Sequence, residues 1–240
     1  SVSKKWWSVK TLWRFITLVT LTAVILGAGI QSVSAALPKL ILYGTTGRCT
    51  NDFPGGPCTE TSTLVQLDPS TGALIKVIGP VGYTVNGLAW EPKSQTLYAS
   101  TAIGDVAFHG LITINLTTGA GTPVNPAAIN FGLAGDPSPI HSITIHSNGR
   151  MAGWYDEFPT GPGKVTDTFV TFDKTTGMAT EFPNTGIDTS ANGLSFDGDG
   201  LLWNIDSPRR VGLGSPLTQT AYLLDPATGK PLGTVSLTPP

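Results

Sequence analysis

A strand followed by Asp or Asn and a turn closing on Thr-Gly occurs four times in this sequence, and a second segment opening on Asn or His occurs three times between them. The 240 residues are punctuated by 29 Gly and 19 Pro, and only 12% are charged. These observations predict an all-β, β-propeller-like body of about four blades of ~50 residues each. The first blade is incomplete, and one N-terminal transmembrane helix precedes the body.

The first motif reads LVQLDPSTGA over 64–73, LITINLTTGA over 111–120, FVTFDKTTGM over 169–178 and YLLDPATGK over 222–230. Its acidic or amide positions, Asp68, Asn115, Asp173 and Asp225, are 47, 58 and 52 residues apart. The second motif is NGLAWEPKSQTLYAS from Asn86, HSITIHSNGRMAGW from His141 and NGLSFDGDGLLWN from Asn192. Alternating apolar residues suit half-buried strands. Asp-Pro-x-Thr-Gly supplies an oxygen that bonds its own turn and a Gly that tolerates positive φ. Asn148-Gly149 and Asp199-Gly200 are tight-hairpin dipeptides. Each unit therefore reads as four strands, and such units bury their apolar faces only against neighbours.

With the Asn-Gly-Leu strand innermost, full blades run over 86–128, 141–183 and 192–237. Residues 40–79 supply strands at 40–44, 64–68 and 74–78 but no inner strand. That strand could come from 30–38, from a partner, or not at all. An incomplete ring exposes edges, and exposed edges invite a partner.

Asn-Gly-Leu-x-Phe/Trp followed by a Gly/Asp turn and Leu-Tyr or Leu-Trp resembles the NHL and gluconolactonase-like propeller repeats, a pattern shared with streptogramin lyases. The Asp-Pro-x-Thr-Gly turns resemble those of uncharacterised secreted bacterial propellers. The resemblance covers residues 40–237 and implies a bacterial propeller. It bears weakly on function, because propellers serve many unrelated roles.

The leader differs in kind from the body. Residues 1–40 carry Lys4, Lys5, Lys10, Arg14 and Lys39 and no acid, while the net charge of the whole chain is -2. The uncharged run Phe15–Ile30 would span roughly 24 Å as a helix, and its extension to Leu37 about 35 Å, enough to cross a bilayer. Trp6, Trp7 and Trp13 beside Lys4, Lys5, Lys10 and Arg14 suit the headgroup level of a membrane anchor. The alternative is a signal peptide cleaved after Ala35 or Ala36. The domains are then 1–38, the basic Trp-rich anchor or signal, and 39–240, the extracytoplasmic body. Both readings put the body across the inner membrane, on the periplasmic side. Cys49 and Cys58, flanking a turn-rich loop, suit a disulfide in that oxidising space.

Candidate chemistry is sparse. Asn86, His141 and Asn192 hold equivalent positions and would converge at the channel mouth. The resemblance makes that place interesting, since related enzymes set metal ligands or a catalytic His there. The plainer reading is that they bond the backbone at strand starts. His146 reads as a turn residue and His109 as a solvated loop residue. Asp197 and Asp199 read as a hairpin turn rather than a calcium loop, which would need further oxygen ligands. Asp156 and Glu157 point apart on a strand, against paired acid-base work. Arg209 and Arg210, in a Gly/Pro loop, are a candidate docking site for an acidic face or lipid headgroups. Trp90, Trp154 and Trp203 are expected between blades.

The charge balance excludes a basic nucleic-acid binder. No catalytic set and no cofactor motif stands out. The expected function is a non-enzymatic, membrane-anchored interaction or scaffold subunit of a larger membrane protein complex, with a photosynthetic or respiratory complex as a reasonable host. Two alternatives stand beside it: a metal-dependent lactonase- or lyase-like enzyme using Asn86, His141 and Asn192, and a secreted ligand-binding propeller.

Overall fold

The structure is a computed structural model. It describes residues 40–46, 61–102, 108–133, 140–155, 167–187, 189, 192–206 and 219–237, with the backbone alone at Asn192. The expected anchor with Trp6, Trp7, Trp13, Lys4, Lys5, Lys10 and Arg14 lies outside the described residues, as do Cys49 with Cys58, Asp156 with Glu157, and Arg209 with Arg210. Among the described residues no helix is long and apolar enough to cross a membrane.

Among the described residues, fifteen strands form four antiparallel sheets, each a simple meander in chain order. Sheet 1 has three strands, β1 (Leu42–Thr46), β2 (Thr63–Leu67) and β3 (Leu74–Pro80). Sheet 2 holds β4 (Val85–Glu91), β5 (Thr96–Thr101), β6 (Leu111–Ile114) and β7 (Gly121–Pro123). Sheet 3 holds β8 (Ile140–Ile145), β9 (Met151–Tyr155), β10 (Thr168–Phe172) and β11 (Ala179–Phe182). Sheet 4 holds β12 (Asn192–Phe196), β13 (Leu202–Asp206), β14 (Gln219–Leu224) and β15 (Pro231–Leu237). The three full units and the partial one fall where the repeats place them. Sheet 1 lacks the strand equivalent to β4, β8 and β12 among the described residues.

The Thr-Gly turns explain the recurring spacing. Asp68 Oδ1 accepts the N–H of Ser70 and Thr71, Asn115 Oδ1 those of Thr117 and Thr118, and Asp173 Oδ1 those of Thr175 and Thr176. Asp225 Oδ1 accepts the N–H of Ala227. The carbonyl of each of these four residues takes the N–H of the Gly four positions on, at 2.8 Å in every case. All four glycines have φ between +69° and +84°, the left-handed region where a side chain is strained.

Three apolar cores lie between successive sheets. Leu64, Leu97, Ala99, Ile112 and Ile114 join sheet 1 to sheet 2. Tyr98, Leu111, Ile143, Met151, Val170 and Phe172 join sheet 2 to sheet 3. Ala152, Trp154, Phe169, Leu194, Leu202 and Leu224 join sheet 3 to sheet 4. Strand alternation gives each sheet a leading face toward the preceding sheet and a trailing face toward the next. The inner strands also lie side by side, β4 on β8 and β8 on β12. Ser100 Oγ donates to the Ile140 carbonyl at 2.9 Å, and the Leu194 N–H donates to Ser142 Oγ at 3.0 Å.

Candidate functional site

The starts of two inner strands, β4 and β8, share a device that the sequence did not announce. On β4, Val85 faces Thr101 and Gly87 faces Ser100, so Asn86 is an extra residue without an opposite number. On β8, Ile140 faces Tyr155 and Ser142 faces Trp154, so His141 is extra in the same way. Both equivalent residues thus sit on β-bulges, which re-aim a side chain and tighten local twist. A Cβ built on Gly87 would lie 3.3 Å from the His141 carbonyl oxygen and 3.0 Å from the Ile143 nitrogen. Only a glycine lets β4 approach β8 so closely. The structure therefore brings Asn86 and His141 to neighbouring strand starts. Asn192 begins β12 opposite Asp206, and its side chain lies outside the described residues.

Behind His141 stands a buried carboxylate, Asp167, fully shielded from solvent. Its Oδ2 accepts from Trp154 Nε1 at 3.1 Å, from the Thr189 N–H at 2.7 Å and from Thr189 Oγ1. Its backbone N–H donates to the Ile187 carbonyl at 2.8 Å, and its carbonyl accepts Thr185 Oγ1 at 2.7 Å. Asp167 thus ties β10 to the segment that crosses from sheet 3 to sheet 4. Burial pushes the His141 pKa below the usual histidine value, and the Asp167 carboxylate opposes that shift. The imidazole is neutral at pH 7, able to accept a hydrogen bond or offer a lone pair. Among the described residues no group of three His, Cys, Asp or Glu is arranged to hold a metal ion.

Asp167 escaped notice although a signal existed. It lies six residues before Asp173, and the residues six before Asp68, Asn115 and Asp225 are Ser62, His109 and Gln219. Ser62, His109 and Asp167 are all buried, and each bonds the chain crossing to the next sheet. Ser62 Oγ accepts the Val85 N–H at 3.0 Å. The His109 carbonyl accepts the Asn130 N–H, and its Nδ1 pairs with Asn130 Oδ1 at 3.0 Å. The expectation of a solvated His109 is therefore corrected: a 3-10 turn at Ile129–Gly132 folds over it and sets Phe131 edge-on against the ring.

Other expectations hold in part. His146 is a turn residue, its Nδ1 accepting the Asn148 N–H and its ring packed on Phe196. Asp197 uses Oδ1 for the N–H groups of Asp199 and Leu201 and Oδ2 for Trp203 Nε1, as a hairpin turn requires. Trp154 is buried between sheets 3 and 4. Trp90 is not buried between sheets but 41% exposed, because it sits at the rim of β4 beside its turn.

No protein-family model matches this chain. No curated protein matches it either. Two solved structures are similar in part. One is hydrazine synthase from Kuenenia stuttgartiensis, 13% identical over 73% of this chain and 43% of that one, with a TM-score of 0.42. The other is a protein of unknown function from Dyadobacter fermentans DSM 18053, 9% identical over 83% of this chain and 60% of that one, with a TM-score of 0.48. This chain thus spans less than two thirds of either neighbour.

Proposed function

We propose that this chain is a propeller-like interaction or scaffold subunit, without chemistry of its own, held to the inner membrane by residues 1–38 and contributing its extracytoplasmic body to a larger membrane protein complex. The observation that carries this reading is the pair of apolar faces left open at the two ends of the sheet series. Leu42, Leu74 and Val77 on sheet 1 and Ile205, Leu232 and Val235 on sheet 4 are exposed. Large exposed apolar faces mark interaction sites. In this reading Arg209 and Arg210, which follow β13 in the sequence, act as a charged docking segment, and Cys49 and Cys58 form a disulfide.

The test is the native mass of the full chain extracted from its own membranes in mild detergent. A particle far above 25.0 kDa plus detergent, with other chains in it, is the expected result. A monomer-sized particle overturns the reading.

The shared bulge at Asn86 and His141 favours a second reading, a metal-dependent enzyme resembling gluconolactonases or streptogramin lyases, with Asn192 as third ligand. Metal analysis of the purified chain decides it, since a stoichiometric divalent ion is required. A secreted ligand-binding propeller requires loss of the leader, which an intact mass measures.

A further inference from the structure

The four sheets repeat one interface three times. The leading-face position three residues before the turn Asp or Asn is Val65, Ile112, Val170 and Tyr222, and the position opposite Leu67, Ile114, Phe172 and Leu224 is Leu42, Leu97, Met151 and Leu202. Leu97, Met151 and Leu202 are 3%, 0% and 0% exposed, while Leu42 is 42% exposed. On the trailing face, Ser100 and Trp154 are each 0% exposed, while their equivalent Ile205 is 43% exposed. Val65 beside Leu42 and Ala221 opposite Ile205 are buried, at 6% and 7%, so the chain presents one partly unfilled copy of each half of its own interface.

Two independent details agree. A Cβ on Gly119 would meet the Gly79 carbonyl oxygen at 2.4 Å, one on Gly177 would meet Val124 at 3.5 Å, and one on Gly229 would meet Phe169 at 2.2 Å, each on the preceding sheet. The equivalent Gly72 has nothing within 4 Å. Likewise Ser62, His109 and Asp167 bond a chain crossing to the next sheet, and Gln219 is exposed.

Among the described residues the open faces are also not capped. A repeat protein normally ends in a polar outer face. Here the leading position opposite Val65 is Val77, where sheets 2, 3 and 4 carry Pro123, Glu181 and Thr234. The trailing position two before the turn Asp is Leu223, where sheets 1 to 3 carry Gln66, Thr113 and Thr171. At these two positions the ends are more apolar than the interior they match.

We infer that a second copy of this chain covers these faces end to end, the trailing face of sheet 4 in one copy seating the leading face of sheet 1 in the other. The contact is heterologous, so two copies joined at both ends close a ring with two-fold symmetry. Eight sheets lie within the usual four to eight of such rings. This rests on the propeller-like scaffold reading and names its first partner.

The experiment uses the full chain in detergent, with two affinity tags on separately expressed copies, and the variants Leu42→Lys and Ile205→Lys. The parent is expected to run at twice 25.0 kDa plus detergent and to carry both tags after mixing. Each variant alone is expected to be monomeric, with an unchanged far-ultraviolet spectrum. The two variants mixed are expected to associate again, because together they retain one intact junction. A monomeric parent overturns the inference, as does a parent dimer that both variants retain, or a mixture that stays dissociated. If this chain is present once in a complex with other chains, the inference falls while the scaffold reading stands.

Discussion

Asp167→Asn isolates the tie between sheets 3 and 4. One carboxylate oxygen receives three donors, Trp154 Nε1, the Thr189 N–H and Thr189 Oγ1, in a site fully shielded from water. A hydrogen bond to a charged group contributes about 1.5–3 kcal/mol, against about 0.5–1.5 kcal/mol for a neutral one. The amide keeps an oxygen in place but loses the charge, so each of the three bonds weakens by about 1 kcal/mol and stability falls by about 3 kcal/mol. For a chain of this length, 1 kcal/mol moves the melting temperature by about 2–4 °C, so a drop of about 6–12 °C is expected. Urea unfolding followed by tryptophan fluorescence measures it. Thr189→Val, made alone and together with Asp167→Asn, should show a coupling of at least about 1 kcal/mol. A loss below about 0.5 kcal/mol would refute the clamp. A gain in stability would mean that the carboxylate is kept buried at a cost, for chemistry beside His141.

Three further outcomes follow from the same structure. His141→Asn places at sheet 3 the residue found at the equivalent points of sheets 2 and 4. Folded His141 binds a proton less readily than an unfolded histidine at 6.5, so stability falls as pH drops through 6.5 toward the lower folded value. The substitution should keep the fold and remove that slope, and stability curves from pH 7.5 to 5 show it. Glu91 is held below its usual 4.5 by the hydrogen bond from Lys174 and then by Ser94. Its contribution is complete above 4.5 and disappears as pH falls below that value, so Lys174→Met should flatten the acid limb of the same curve. Gly72→Ala and Gly229→Ala both force Ala into positive φ, at about 1–2 kcal/mol each. Only the Gly229 change also drives a Cβ against Phe169, so it should cost about 1–3 kcal/mol more in urea unfolding, and equal losses would deny the close approach.

The repeat register was legible because turn chemistry is local. Asp68, Asn115, Asp173 and Asp225 bond residues a few places on, so their spacing alone locates β2, β6, β10 and β14. The equivalence of Asn86 and His141 was legible as positions but not as geometry, since a bulge at either residue depends on the register of the neighbouring strand. His109 misled for a related reason. A His before Gly in a loop gives no local sign of burial, and only the chain that crosses between sheets 2 and 3 covers it. Asp167 was readable as the residue six before Asp173, yet its chemistry varies through Ser62, His109 and Gln219, so identity gave no repeat to notice.

The starts of the inner strands and the open ends make different demands on the chain, and this bears on which carries function. Beside His141, the Asp167 carboxylate spends an oxygen on Trp154 and Thr189. A divalent ion drawing on Oδ2 would compete with the donors that hold sheet 4 to sheet 3, whereas one held by Asn86, His141 and Asn192 would leave them in place. The end faces carry no such conflict. Leu42 and Ile205 repeat positions that are buried at Leu97, Met151 and Leu202 and at Ser100 and Trp154, and the exposed Val77 adds apolar surface where a solvated terminus would gain from polar residues. Association at the ends would complete contacts of a kind the fold already makes three times.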